Sequence, residues 1–173
     1  MPDDDYGRLE EVGGAWRLRF TRRFPHPPAK VWQALTEPQH LDAWFPTTIE
    51  GERSVGAPLR FSFRDGEGEP FDGELLAYQP PVLLEFRWGP DTLRFELAPD
   101  GDGSRLVLFD LLEERGRAAR DGAGWHVCLR MLAEHLDDEG APRDLSGWKP
   151  LNDAYVQRFG PEAATIGPPE TQR

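Results

Sequence analysis

The sequence predicts a single α+β domain in which a curved antiparallel sheet wraps a long C-terminal helix. Three observations lead to this prediction. Apolar and polar residues alternate in successive segments between residues 15 and 112, which is typical of half-buried strands. Residues 118–137 instead carry a wide apolar stripe with the period of an amphipathic helix. The chain has 173 residues, which is close to the usual size of one domain.

The first predicted elements are one strand and two short helices. Residues 15–24 alternate tryptophan, leucine and phenylalanine with arginines, as a half-buried strand does. The prolines that follow cannot donate to a ladder, so the strand ends there. Val31 and Leu35 then recur at helical spacing, and a second short helix is predicted to end at Phe45.

A block of sheet is predicted next. Alternating apolar residues mark strands in 59–63, 71–77, 82–88 and 93–97, and a nearly continuous apolar run marks another in 106–112. Glycine, proline and aspartate separate these segments, as they do in tight turns. We therefore expect an antiparallel meander, with six to seven strands in the whole sheet.

The long helix is predicted in residues 118–137. The members of its apolar stripe are Trp125, Cys128, Leu129, Leu132 and Leu136. A helix with such a wide stripe needs an apolar surface to cover, and the concave face of a twisted sheet supplies one. Accordingly, we expect the sheet to wrap this helix.

These elements divide the chain into four segments. We predict an N-terminal tail in 1–14, the folded domain in 15–140, an accessory helical segment in 141–160 and a disordered tail in 161–173. The accessory segment keeps a helical rhythm of apolar residues, whereas the last segment is rich in proline.

Composition narrows the classes of partner. The formal net charge of −11 repels phosphate backbones and anionic lipid, so we expect neither nucleic acid nor membrane as a partner. The single cysteine fits a reducing compartment, and the acidic N-terminus lacks the pattern of a secretory signal. A cytoplasmic location is the resulting expectation.

Two segments resemble a known family. Residues 28–45, PAKVWQALTEPQHLDAWF, contain in order a helix, a Thr-Glu-Pro break and a Trp-Phe pair. This segment resembles the opening signature of the START-like helix-grip (SRPBCC) superfamily, in the branch named after the activator of Hsp90 ATPase. Residues 124–129, GWHVCL, together with Leu132 and His135-Leu136, resemble the C-terminal helix of the same branch. The resemblance covers residues 16–138.

The resemblance implies a helix-grip fold with a cavity between the long helix and the sheet, which in relatives binds lipids, polyketides or other apolar molecules. It does not imply the co-chaperone activity behind the branch's name, which also uses a separate Hsp90-binding domain. Apolar side chains on the predicted inner faces are the candidates for lining this cavity. They are Trp44, Phe61, Phe63, Phe71, Phe86, Trp88, Phe95, Trp125, Cys128, Leu129 and Leu132. Plain core packing is the alternative for each of them.

Asp110 is the first polar candidate for the ligand site, because it interrupts the apolar run 106–112. If it faces inward, desolvation would raise its pKa, and it could be a general base or a ligand anchor. If Val107, Phe109 and Leu111 face inward instead, Asp110 is solvated. Both faces of the run are apolar, so the sequence leaves both orientations open.

The sequence predicts neither a metal site nor a cofactor site. His126 and Cys128 are two residues apart on a helix and cannot share a face, and no second cysteine could complete a zinc set. Burial in the stripe would raise the pKa of Cys128, so we expect an inert thiol. No catalytic triad, phosphate-binding loop or dinucleotide fingerprint is present.

Three functions follow, with the binding of a small apolar molecule as the leading hypothesis. The first alternative is an enzyme of the cyclase, aromatase or dehydratase kind, with Asp110, His126 and Tyr78 as candidate acids or bases. The second alternative is a protein-interaction module that acts on a chaperone or another partner. That module would use an exposed apolar patch in residues 148–159, whereas pairing of two copies through this segment in a homodimer would count against it.

Overall fold

The computed structural model describes residues 3–64, 66 and 68–167. The strands are β1 (Arg8–Val12), β2 (Ala15–Phe24), β3 (Thr47–Glu50), β4 (Pro58–Phe63), β5 (Phe71–Gln79), β6 (Leu83–Trp88), β7 (Asp91–Asp100) and β8 (Gly103–Leu112). The helices are α1 (Pro28–Thr36), α2 (Pro38–Trp44), α3 (Ala118–Asp137) and α4 (Trp148–Phe159). Single turns of 3₁₀ helix lie at Asp3–Asp5, Arg115–Arg117 and Pro161–Ala163. Within the described part of the chain, no helix has the length and apolar content that a membrane span requires.

The strands form one antiparallel sheet in the order β1-β2-β8-β7-β6-β5-β4-β3. The meander from β3 to β8 follows chain order, and β2 joins its far edge by pairing with β8. The α+β class, the antiparallel sheet and the long C-terminal helix are therefore confirmed. The predicted count of six to seven strands is wrong, because the sheet has 8 strands.

The two strands that the sequence analysis missed are the edge strands β1 and β3. Strand β1 lies inside the predicted N-terminal tail, and its residues are mostly polar because an edge strand here buries neither face fully. Gly13 and Gly14 join it to β2 with φ values of 59° and 81°, the left-handed conformation that tight hairpins favour. Strand β3 has only 4 residues, too few to show an alternating pattern.

The core lies between the concave face of the sheet and the helices. Leu93 and Phe95 on β7 and Leu106 and Leu108 on β8 are each at most 1% exposed. Helix α3 crosses this face, and both short helices pack beside it. The sequence left two orientations open for the strand 106–112. The structure has Asp110 facing inward, since Asp110 is 1% exposed whereas Leu111 is 43% exposed.

Helix α4, in the predicted accessory segment, packs against α3 rather than standing away from the domain. Leu151 and Tyr155 are its buried residues. The chain then continues close to the domain, because Ala163 is buried and the Ile166 N–H donates to the Gly116 carbonyl at 3.1 Å. Of the predicted disordered tail, residues 168–173 lie outside the described residues.

Candidate functional site

The space under α3, where the sequence analysis expected a cavity, is filled by side chains. Most of the predicted lining residues are at most 5% exposed: Trp44, Phe61, Phe86, Phe95, Asp110, Trp125, Cys128, Leu129 and Leu132. The remaining three, Phe63, Phe71 and Trp88, are half-buried. These residues are brought together, but they pack mainly on one another.

Aromatic rings account for much of this filling. The Trp125 ring lies 5.9 Å from the ring of Trp88 and 5.7 Å from the ring of Phe45, measured between centroids. The rings of Phe61 and Phe71 each lie 4.8 Å from the ring of Trp88. Such ring separations are typical of packed aromatic cores. The contacts therefore favour core packing over a ligand cavity for this group.

An open groove lies instead beside the two short helices. Its walls are the C-terminal half of α1, helix α2, strand β3 with the following loop, and one residue of β5, and its volume is about 870 Å³. The apolar lining includes Trp32, Leu41, Ile49 and Tyr78. This volume lies within the range of small-molecule sites, roughly 300–1,000 Å³. None of the residues predicted to line a cavity borders this groove, apart from the alternative candidate Tyr78.

A β-bulge places Tyr78 in the groove. Leu75 pairs with Phe86 and Tyr78 pairs with Leu84, although Leu75 and Tyr78 are an odd number of residues apart. The register shift between Leu75 and Ala77 absorbs the extra residue, so both side chains share the concave face. The Tyr78 ring then lies 5.7 Å from the Trp32 ring. Two aromatic residues from different elements thus flank one end of the groove.

Charged residues surround the groove unevenly. Glu37, Asp42 and Glu50 border it, whereas Arg53 is the basic residue in its lining. The Asp42 carboxylate pairs with Arg64, which also donates to three backbone carbonyls at the end of α2 and start of β3. Glu37 and Glu50 have no arginine or lysine partner among the described residues, so they make the rim acidic.

Arg53 is bound by carbonyl groups. Its guanidinium donates to the carbonyls of Thr36 at 3.1 Å, Ile49 at 3.4 Å and Gly51 at 3.0 Å. Partial burial lowers the pKa of Arg53 from its ordinary value. Three N–H groups of Arg53 therefore already donate to backbone carbonyls of the protein.

A small void lies next to the groove on the inner side. Its volume is about 10 Å³, roughly the smallest space that can hold one water molecule. Leu35, Leu59, Leu75, Leu84 and Phe86 line it, together with Ile49 and Arg53, which also line the groove. Phe86 is thus the one predicted lining residue that borders either cavity.

A second polar feature is a cluster of three carboxylates near the start of α3. One carboxylate oxygen from each of Asp91, Asp110 and Asp121 lies within 4.8 Å of the others. Asp91 is bound by Arg117 and by the Glu113 N–H, and Asp121 by Arg120. The sequence analysis missed Asp91, because Gly-Pro-Asp is an ordinary turn sequence, and it gave no role to Asp121.

Asp110 is the least compensated carboxylate of this cluster. Its Oδ2 accepts a hydrogen bond from the Trp125 indole at 3.1 Å, but its Oδ1 has no donor among the described residues. Burial raises the pKa of Asp110 well above its ordinary value, and the Asp91 carboxylate adds to this effect. The cluster has three carboxylates but only two guanidinium partners among the described residues, since Arg117 pairs with Asp91 and Arg120 pairs with Asp121. Asp110 is therefore best described as protonated and neutral.

His126 and Cys128 lie outside the groove. His126 Nδ1 is 2.8 Å from the Tyr155 hydroxyl, and that hydroxyl accepts the Gly7 N–H at 2.7 Å. Burial lowers the pKa of His126 to about 4 and raises the pKa of the Cys128 thiol to about 12. The histidine therefore connects α3 with α4 as a neutral ring, and the thiol is unreactive at neutral pH.

Comparisons with known proteins give one family match and several similar structures. The family model for Activator of Hsp90 ATPase homolog 1-like proteins matches residues 25–137. Protein EF2215 of unknown function from Enterococcus faecalis is 20% identical, with a TM-score of 0.75 over 88% of this chain and 90% of that one. CalU16 from Micromonospora echinospora is 22% identical, with a TM-score of 0.69 over 93% and 96%. These two likenesses concern the fold alone.

DynU16, a protein of the dynemicin biosynthetic locus, is 28% identical to this chain. The TM-score is 0.64, and the likeness covers 71% of this chain and 48% of DynU16. No curated protein matches the chain.

Proposed function

The chain belongs to the family of Activator of Hsp90 ATPase homolog 1-like proteins, and on that premise we propose that it binds a small, largely apolar molecule in the groove beside α1 and α2. The family match confirms the resemblance that residues 28–45 and 124–129 carry, and the fold is of the SRPBCC type. A lipid, a polyketide or a molecule of similar size fits the proposal. The observation that carries it is the groove of about 870 Å³ flanked by Trp32 and Tyr78.

The chemistry of the groove supports an uncharged or positively charged ligand. Trp32 and Tyr78 offer ring surface at one end, and Leu41 and Ile49 offer aliphatic surface. The acidic rim repels anions, and the N–H groups of Arg53 are largely occupied by carbonyls. A long-chain alcohol or amine therefore suits the groove better than the corresponding carboxylate does.

The comparison with DynU16 favours a small organic molecule over a protein as the ligand. That relative is described as a protein of a biosynthetic locus. The proposal extends this context to the present chain.

Isothermal titration with decanol, decylamine and decanoate, followed in parallel by tryptophan fluorescence, tests the proposal. We expect saturable binding of the alcohol and the amine, weaker binding of decanoate, and loss of the fluorescence change in Trp32→Phe. Sterols and aromatic polyketides extend the panel to bulkier ligands. No saturable binding with any of these compounds would exclude the proposed function.

A pair of tryptophan substitutions on α1 shows whether the ligand occupies the groove. Gln33 lines the groove and Ala29 does not, and both are exposed on the same helix. We expect Gln33→Trp to obstruct the groove and weaken binding at least tenfold, whereas Ala29→Trp leaves affinity unchanged. Equal affinities of the two variants would place the ligand elsewhere.

The two alternative functions have less support from the structure. Of the candidate acids and bases, Tyr78 alone lines the groove, while Asp110 and His126 are buried elsewhere. The segment expected to offer a partner surface, α4, buries Leu151 and Tyr155 against its own domain. A homodimer stays a prediction.

A further inference from the structure

The groove and the small void next to it have two residues in common. Ile49 and Arg53 line both cavities, so these residues form the partition between them. On the inner side of the partition, Leu59, Leu84 and Phe86 belong to the concave face of the sheet and are each at most 3% exposed. The partition therefore separates a solvent-open groove from apolar surface that a ligand could bury.

Arg53 is the longer and more flexible side chain of this partition. It lies in the loop between β3 and β4, and its side chain is half-buried. It pairs with none of the carboxylates that the structure describes, and carbonyls are its hydrogen-bond acceptors. Hydrogen bonds from a charged group to carbonyls contribute about 1.5–3 kcal/mol each, and water can take the place of the carbonyls as acceptor when the side chain turns outward.

Arg64 provides the contrast within the same region. It also donates to backbone carbonyls, but it forms in addition an ion pair with Asp42. A guanidinium with a carboxylate partner is more firmly held than one bound by neutral carbonyls. Of the two arginines, Arg53 is thus the one that can leave its position at smaller cost.

We propose that the groove and the void are two sections of one binding channel, and that Arg53 sets its depth. When the Arg53 side chain turns toward solvent, the space it leaves joins the groove to the void. The ligand class is then a slender molecule with an alkyl or similar apolar chain. Its head group remains in the groove beside the rings of Trp32 and Tyr78, and its chain end reaches Phe86. This inference rests on the proposed function.

A homologous series of n-alkanols from hexanol to tetradecanol tests the proposal on the full chain. Each CH₂ that becomes buried should raise affinity about fourfold, and the gain stops when the chain meets the end of its site. In Arg53→Ala we expect the ratio of tetradecanol to hexanol affinity to be at least tenfold higher than in Arg53→Lys, because no long side chain has to leave the channel. Lysine keeps a cation that can donate to the same carbonyls. The hexanol affinity of each variant serves as the reference for its own series.

Arg64→Ala is a second control, because it removes a carbonyl-bound guanidinium that lines neither cavity. It should leave the ratio of tetradecanol to hexanol affinity unchanged. Equal ratios in Arg53→Ala and Arg53→Lys would overturn the role of Arg53 while leaving groove binding intact. If no alkanol binds any of these proteins, the proposed function fails, and this inference fails with it.

A structure of the unsubstituted protein crystallised with tetradecanol gives a test that does not depend on the folding of a variant. We expect the chain end within contact distance of Phe86 and the Arg53 guanidinium away from the carbonyls of Thr36 and Ile49. An alkanol confined to the groove, with Arg53 still on both carbonyls, would overturn the proposal.

Discussion

The two ends of the sheet's concave face are covered in different ways. At one end α3, with 20 residues, extends for about 30 Å and closes the surface with its apolar stripe. At the other end α1 and α2, with 9 and 7 residues, are too short to cover the sheet, and the groove opens there. Similar aromatic residues thus become core under the long helix and cavity wall beside the short ones. The length of the helix that covers the sheet therefore decides whether these residues form core or border a cavity.

The polar groups of the two regions also differ in burial, being more buried under α3 than beside α1. Under α3, three carboxylates and Arg117 lie close together, Asp91 and Asp110 are buried, and one Asp110 oxygen has no donor in the part of the chain that the structure describes. Beside α1, Arg53 uses backbone carbonyls and remains close to solvent. Changes at the filled end should therefore act on stability, and changes at the open end on ligand affinity.

The largest expected effect on stability is at the filled end. Leu129 is 0% exposed on the buried face of α3. We expect Leu129→Ala to lower the free energy of unfolding by about 2–5 kcal/mol, because it removes packed methyl groups and leaves a cavity. Urea denaturation measures this change. A loss below about 1 kcal/mol would mean that the space under α3 is less well filled than the structure indicates.

Tyr155→Phe tests how firmly α4 closes the outer side of α3. The substitution keeps the ring but leaves the Gly7 N–H without its acceptor. We expect the free energy of unfolding to fall by about 1–3 kcal/mol, the usual cost of an unsatisfied buried polar group. Urea denaturation of the variant, with decanol affinity measured alongside, separates stability from binding. Unchanged stability would show that water replaces the hydroxyl.

Asp110→Asn tests whether Asp110, at the filled end, makes the stability of the protein depend on pH. Because burial raises the pKa of Asp110 in the folded protein, the folded state keeps a proton that the unfolded chain releases. The stability that this bound proton contributes is fully present below the ordinary pKa of an aspartate. It is lost as pH rises toward the pKa of Asp110 in the folded protein. The slope is at most about 1.4 kcal/mol per pH unit.

Asparagine cannot ionise, so the stability of the variant relative to the unsubstituted protein should increase as pH rises. Urea denaturation of both proteins from pH 5 to pH 8 measures the difference. Parallel stability curves would contradict a raised pKa at Asp110.

The smallest expected effect on stability is at the open end. Gln33 is exposed at the groove, and substitutions at such positions change the free energy of unfolding by at most about 0.5 kcal/mol. We expect Gln33→Ala to behave in this way while changing decanol affinity measurably in titration calorimetry. A large loss of stability would show that the groove wall belongs to the core.

Much of the fold could be predicted from the sequence because local patterns repeat over many residues. The alternation in 15–24 and the stripe of α3 each indicate both the element and its buried face. Edge strands β1 and β3 gave no such pattern, since one is polar and the other is short. Pattern recognition depends on a buried face, and edge strands have little of one.

The candidate site was harder to predict than the fold. Phe86 and Tyr78 were among the candidate residues, and they border the void and the groove. Gln33, Thr48 and Arg53 were not, because nothing in their local sequence distinguishes them from ordinary surface residues. Whether an aromatic residue borders a cavity depends on what lies opposite it, and that partner is distant in sequence.

The sequence by itself determined the class of fold, the family and the buried face of α3, because period and motif are properties of neighbouring residues. It left open which way Asp110 points, where the sheet is left uncovered and which arginine lies at the cavity. Those points were decided by the tertiary structure, since they depend on strand register, on a bulge and on the lengths of helices that meet across the sheet.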